Sequence, residues 1–296
     1  REWPVRVVLR ETSGGTAPEV NEYLLAVVAH HIAADGESMR PLVTDIVTAY
    51  VARVAGVAPE FVPLDVQFAD FAIWQHRVLG SPGDADSVAG RQLGYWREQL
   101  AGVPDVLALP TDRPRPPVAS QRGGRVQFAI PASLCARIER TAAGHGVTSF
   151  MVVHGALAVL LARLTASDDI TIGTPVAGRG QAALDRLVGM FVNTLVLRTR
   201  MDLGARFIDV LADVKDTDLA AFTHDSVPFE AVVDAVSPVR SEAFAPLTQV
   251  WLSLFQNAAE TAPSGRDAAA GDDLMVSAVD LDAAPVQVDL IIEIAV

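Results

Sequence analysis

The sequence predicts a mixed α/β protein, and three observations carry the prediction. Short apolar strand-like runs alternate along the chain with longer segments of helical periodicity. Half of the 296 residues are hydrophobic, enough for two lobes with cores of their own, which excludes disorder as a global description. No short-period repeat runs through the chain, so a solenoid or propeller is not expected.

The elements follow in order. "PVRVVLRE" (4–11) and "EYLLAVVAHH" (22–31) read as strands joined by a Gly-containing loop. The second is apolar on both alternations, which predicts an interior strand covered on both sides. "SMRPLVTDIVTAYVARVAG" (38–56) places apolar residues at helical spacing, with Ser38 as its expected N-cap. Helices are expected over 66–80 and 88–102. The Pro- and Gly-rich stretch 109–124 reads as an extended linker, and the lobe boundary is placed there, giving 1–122 and 123–296. Beyond it come a strand (125–131), a helix (132–146) and a second helix that starts at a Thr148 cap and includes the apolar run 150–164. A strand leaving into a Pro/Gly loop is expected over 169–180, and strands at 187–201 with Gly189 and Asn193 interrupting, and at 248–257, 274–280 and 286–296. A helix is expected at about 207–222 and a surface loop at 258–273.

Composition excludes several classes of function. A net charge of -13 argues against a nucleic-acid binder, which would show a basic face. The single cysteine, Cys135, rules out a disulfide framework and a cysteine-based zinc site, and suits a reducing cytoplasm. The run 150–164 carries His154 and Arg163 and is too short to span a bilayer, so it reads as a core helix.

The segment "VVAHHIAADGESM" (27–39) concentrates the chemistry. On a strand, His30 and His31 would point to opposite faces, one into the packing layer and one free to face a cavity. Asp35 follows across a turn completed by Gly36, where the missing Cβ permits unusual backbone angles. The N-terminus of the following helix aims at this corner and would favour a neutral imidazole, suited to accepting a proton. Two histidines beside an aspartate also fit a satisfied buried cluster. A metal site is disfavoured, because the adjacent histidines diverge and no further ligand cluster accompanies them.

"HHIAADG" matches the HHxxxDG signature, and further motifs accompany it in order: "FADFAIWQ" (68–75), "YWREQLAG" (95–102), "LPTDRPRP" (109–116), "GTPVAGR" (173–179), "VGMFVNTLVLR" (188–198) and "HDSVPFE" (224–230). Together they resemble the condensation domains of nonribosomal peptide synthetases. Heterocyclisation relatives would replace the histidine pair with aspartate, and "FVNTLVLR" with "PFE" is closer to condensation than to epimerisation domains. The resemblance implies two lobes with the chloramphenicol acetyltransferase fold and a substrate tunnel between them. It implies amide-bond formation, in which a carrier-bound aminoacyl amine attacks a carrier-bound aminoacyl or peptidyl thioester. The alternatives are a non-catalytic docking domain and an ester-forming variant.

Carried onto this sequence, the resemblance makes His31 the catalytic residue facing the tunnel. His30, Asp35 and Gly36 become its support, with Arg179 the expected ion-pair partner of Asp35. Glu37 and Ser38 are expected on the tunnel, and Gly189 and Asn193 at its floor. Glu37 stands where relatives often carry an aromatic residue, and "RSEAFAPL" (240–247) keeps little of the family's polar pattern there. No metal and no cofactor of its own are implied, because the substrates ride on phosphopantetheine. The implied partners are donor and acceptor carrier proteins and an adjacent adenylation domain, without nucleic acid or membrane. The chain is also expected to lack the start of the first lobe and the end of the second.

Overall fold

The computed structural model describes residues 3–12, 22–255, 277, 279 and 286–295. Apart from positions 277 and 279, the expected loop at 258–273 and strand at 274–280 lie outside the described residues. The architecture is the mixed α/β one expected, with strands and helices interleaved. The described residues divide into two compact units. One is built from 1–75 and 177–192, the other from 76–176, 193–265 and 277–296. The division falls after Gln75, and the Pro-rich stretch 109–124 lies wholly within the second unit.

In the first unit, β1 (Val5–Thr12) and β2 (Glu22–Ala29) form an antiparallel hairpin in the register Val5↔Ala29 to Thr12↔Glu22. The expectation of an interior strand is not met. Val7, Leu9, Leu25 and Val28 are all exposed, and β1 is the ladder partner of β2 among the described residues. An apolar pattern on both alternations shows that a strand tolerates cover on both faces; it does not supply the cover. Helix α1 (Met39–Val54) follows, then α2 (Phe68–Leu79), whose residues up to Gln75 belong to this unit. A small apolar cluster of Leu184, Leu187 and Phe191, with Val66, Phe68 and Phe71 against it, is the core of this unit.

The second unit holds α3 (Val88–Gln99), α4 (Ala132–His145), α5 (Ser149–Thr165), α6 (Phe207–Thr223) and α7 (Phe229–Val236). Its sheet has the order β4-β3-β5-β6, where β3 is Asp169–Val176, β4 Asn193–Arg200, β5 Val250–Phe255 and β6 Leu290–Ala295. β3 and β4 pair antiparallel, whereas β5 runs parallel to both β3 and β6. The apolar run at 150–164 is the core helix that the sequence predicts. α5 buries Met151, Val152, Leu157, Ala158, Leu161 and Ala162, and the Thr148 hydroxyl accepts from the Met151 amide at its start. No single helix among the described residues is long and apolar enough to cross a membrane.

Buried polar side chains tie these elements together. His154 of α5 and Asp218 of α6 are both fully enclosed and meet at 2.9 Å. Arg198 of β4 donates to both oxygens of Asp169 and to the carbonyls of Gln99 and Ala101 at the C-terminal end of α3. Two expectations fail locally. Residues 125–131 belong to no ladder among the described residues, with Val126 and Phe128 exposed. The strand expected from 187 begins only at Asn193, because Leu187 and Phe191 turn into the core of the first unit. α7 is an element the sequence reading left unassigned; it starts directly after Pro228, whose fixed φ suits a helix entrance.

Candidate active site

The histidine pair lies just past the end of β2, and Pro4 explains why the strand stops there. The His30 amide still donates to the Pro4 carbonyl at 2.7 Å, but proline has no N–H to return. The His30 carbonyl instead accepts from the Ala33 amide at 2.8 Å, which starts a turn. Both histidines are therefore exposed on a turn and do not sit on opposite faces of a strand, which corrects the expectation that one enters the packing layer. His30 Nδ1 accepts from the Ile32 amide at 3.1 Å, so a neutral His30 carries its proton on Nε2. His31 projects from the same turn, as does the exposed Glu37 farther on.

Below the turn the backbone dives inward. Asp35 is 3% exposed and Ser38 0%. Arg179 Nη2 donates to Asp35 Oδ1 at 2.8 Å, and Nη1 donates to the carbonyls of Leu184 and Leu187 at 2.7 and 2.9 Å. Asp35 Oδ2 accepts from the Phe191 amide at 3.0 Å. Burial pushes the Asp35 carboxyl up, but hydrogen bonds from Ser38, the Phe191 amide and Arg179, with the guanidinium's charge, outweigh it and hold the pKa below the usual value.

Ser38 occupies the position before α1, yet its hydroxyl makes no cap bond. It lies 2.6 Å from Asp35 Oδ1 and 2.9 Å from the Gly189 carbonyl, and accepts from the Gly189 amide at 3.1 Å. Expected beside a tunnel, Ser38 is instead surrounded by protein groups.

The segment 177–192 is shaped by close approaches. Gly178 has φ +65, and a Cβ there would fall 2.1 Å from the Phe191 carbonyl oxygen. A Cβ at Gly189 would meet the Phe68 ring at 2.3 Å. The Phe191 ring lies under the Arg179 guanidinium at 4.1 Å and packs edge-on against Phe68. The "FADF" motif of α2 therefore supports the arginine that holds Asp35. Gly36, in contrast, has no left-handed backbone angle, and a Cβ there meets nothing within 4 Å. The position of the site that requires glycine is Gly178, not Gly36.

The structure thus brings Asp35, Ser38, Arg179 and Gly189 into one buried knot beneath His30 and His31. Asn193 does other work, in the second unit. Its Nδ2 donates to the carbonyls of Asp225 and Val227, and its Oδ1 accepts from the Phe229 amide. Gln92 Oε1 accepts from the amides of Ser226 and Val227, so the "HDSVPFE" loop is clamped from two sides. Gln92, Phe191 and Phe68 were not singled out as site residues by sequence reasoning. The signal available for the two phenylalanines was the pair of motifs that contain them.

Comparison with known proteins agrees with this local structure. The family model "Condensation domain" matches residues 17–292. The dimodular nonribosomal peptide synthase of Bacillus subtilis is 45% identical over 237 residues, 80% of this chain and 10% of that protein. The isonitrile lipopeptide synthase of Mycobacterium tuberculosis is 44% identical over 275 residues, 93% of this chain and 11% of that protein. The chain therefore spans about a tenth of the length of these relatives. Among solved structures, the X-domain from teicoplanin biosynthesis superposes with a TM-score of 0.85 at 32% identity, covering 98% of this chain and 62% of that one. The first condensation domain of the CDA synthetase shares the fold at a TM-score of 0.57 and 22% identity, over 79% of this chain and 49% of that one. On the strength of the family match along nearly its whole length, this chain belongs to the condensation-domain family of nonribosomal peptide synthetases.

Proposed function

We propose that this chain forms amide bonds between carrier-bound substrates. The α-amine of an acceptor aminoacyl thioester attacks the carbonyl carbon of a donor thioester. A C–N bond forms, the C–S bond breaks, and the proton lost by the amine ends on the departing thiol. A free α-amine has a pKa of about 7.7–8.0, so roughly a tenth or more is neutral at pH 7 and prior deprotonation contributes little. Attack creates an ammonium beside an oxyanion, and His31 removes that proton or hydrogen-bonds the tetrahedral intermediate. Most of the acceleration comes from holding two tethered substrates at contact distance.

The observation that carries this reading is the exposed His31 on a turn whose far end is pinned by Asp35, Ser38 and Arg179. A catalytic histidine needs access and a fixed base, and this arrangement offers both. Substrates would arrive on phosphopantetheine arms of donor and acceptor carrier proteins, with an adenylation domain in the same polypeptide and the whole in the cytoplasm.

One observation favours a second reading. The X-domain of teicoplanin biosynthesis is known in complex with OxyB, and that complex superposes on this chain with a TM-score of 0.79 at 35% identity. A docking role for this chain would then replace catalysis. The test supplies the native full-length protein with enzymatically loaded donor and acceptor carriers, offers amine and hydroxyl acceptors side by side, and weighs the products by mass spectrometry. Amide product supports the proposal, ester product alone moves the assignment to the ester-forming variant, and no product across several aminoacyl pairs supports docking.

A further inference from the structure

A serine before a helix ordinarily takes extended backbone angles and accepts from the amide two or three residues on. Ser38 does neither: its backbone is right-handed helical (φ -65, ψ -21), and no side-chain cap bond forms. α1 nonetheless starts there, with the Leu42 amide donating to the Ser38 carbonyl at 3.2 Å. The hydroxyl that would complete a cap is turned the other way. A local rule broken without a local gain marks a residue kept for another purpose.

What the hydroxyl does is join three pieces of chain. Its oxygen has three donors within reach, the amide of Asp35 at 3.3 Å, the amide of Gly189 at 3.1 Å and Arg179 Nη2 at 3.1 Å, for its two lone pairs. Its single proton is directed at Asp35 Oδ1 or at the Gly189 carbonyl, at 2.6 and 2.9 Å. Asp35 alone ties the histidine turn to Arg179 and to Phe191. Ser38 adds the grip on Gly189, reinforced by the Asp35 amide donating to the same Gly189 carbonyl at 3.1 Å. Ser38 has no exposure to water, so removing the hydroxyl takes a partner from buried polar groups.

We infer that Ser38 is a positioning residue for His31, fixing the turn that carries the imidazole against the 184–191 segment and the Arg179 guanidinium. The inference rests on the proposed amide-forming activity of His31. Ser38 touches no reacting atom, so its loss lowers kcat through misplacement of the imidazole while substrate binding, made elsewhere, is kept. A displacement of about 1 Å at a reacting group costs on the order of 100-fold in rate, which sets the size of the expected effect.

The test compares wild type, Ser38→Ala, His31→Ala and the double variant in the full-length protein with loaded carriers. The expected result is a fall in kcat of roughly 10- to 100-fold for Ser38→Ala, the cost of misplacement, with KM for both carriers unchanged. In the His31→Ala background the same substitution changes the rate little, because the group it positions is gone. Losses that simply multiply, or a KM change with kcat intact, overturn the inference. Hydrogen exchange gives a readout independent of activity. Ser38→Ala speeds amide exchange at residues 30–38 and at Gly189 and Phe191, and leaves α5 and α6 as in wild type. If wild type makes no product the amide-forming reading fails, and unchanged exchange at 30–38 then overturns the positioning claim as well. Ser38→Cys, close in size but a weak donor and acceptor, falls with alanine if hydrogen bonding is the cause and stays with serine if packing is.

Discussion

Arg179 Nη2 stands 2.8 Å from Asp35 Oδ1, although 144 positions separate the two residues in the chain. The side chains are 6% and 1% exposed, so the pair is almost fully withdrawn from water. Its other contacts serve the same end: Nη2 also reaches the Ser38 hydroxyl, two carbonyls hold the second nitrogen and an aromatic ring lies beneath.

Breaking that pair is expected to be severe. Removing one member of a buried ion pair leaves an uncompensated charge and costs about 3–5 kcal/mol. Arg179→Ala and Asp35→Ala should both lose that much in urea unfolding. Arg179→Lys should recover little, since one ammonium cannot serve Asp35 and two carbonyls in the guanidinium's geometry. The pH dependence has a definite sign. The folded pKa of Asp35 is depressed, so its stabilisation is complete above the unfolded value near 3.9 and is lost as pH falls through the lower folded value. The gap between wild type and Asp35→Asn should be flat down to about pH 5 and close on further acidification. A gap that widens in acid would contradict the assignment.

Gly189 faces the Phe68 ring without room for a methyl group, the built Cβ falling 2.3 Å from Cδ2. Gly189→Ala should therefore destabilise by about 1–3 kcal/mol through overpacking. Combined with Phe68→Ala it should cost less than the sum of the two single changes, a coupling of at least about 0.5 kcal/mol in a double-mutant cycle. Strict additivity would mean the two residues do not press on each other.

Asn193 holds the "HDSVPFE" loop through three hydrogen bonds, to Asp225, Val227 and Phe229, and accepts a further one from the adjacent Thr194 amide. Asn193→Ala should cost about 1–3 kcal/mol, the range for half-buried backbone groups left unpaired. Hydrogen exchange at the Phe229 amide, the first residue of α7, should rise in the variant and stay slow in wild type. Asn193→Asp keeps the acceptor and loses the donor, and should protect Phe229 while releasing Asp225 and Val227.

Tyr95 gives an alkaline counterpart. Burial, with the charge of Asp218 adding to it, pushes its phenol up to about 12. A raised folded pKa contributes stability that is full below the unfolded value near 10 and is lost as pH rises through 12. Phenolate absorbance in wild type minus that in Tyr95→Phe should show one group titrating near 12; titration near 10 would place the hydroxyl in water.

Much of this was legible in the sequence where periodicity alone decides. The helices from α1 to α6 fall within a few residues of their predicted ranges, because each has an apolar stripe and several have turn residues at their ends. The motif resemblance matched Asp35 with Arg179, which no local pattern could have done. What was not legible depended on groups distant in the chain. Pro4 ends β2 before the histidines, and that is visible only once the hairpin register is known. Ser38 reads as a helix cap until Gly189 is found against its hydroxyl. Gly36 invites an explanation from flexibility, yet the position that requires glycine is Gly178, where Phe191 leaves no room for a Cβ. Residues 125–131 carry a strand pattern without a ladder among the described residues, since pairing is decided by the partner as much as by the strand.

The central claim is that this chain makes amide bonds with His31 taking part. The most direct measurement is the rate of condensed thioester formation by the native full-length protein and by its His31→Ala variant, with both carriers loaded enzymatically and both proteins folded alike by circular dichroism. The account predicts product from wild type and a loss of at least about 100-fold in the variant, the low end for a general acid–base group. Equal rates from the two proteins would contradict it.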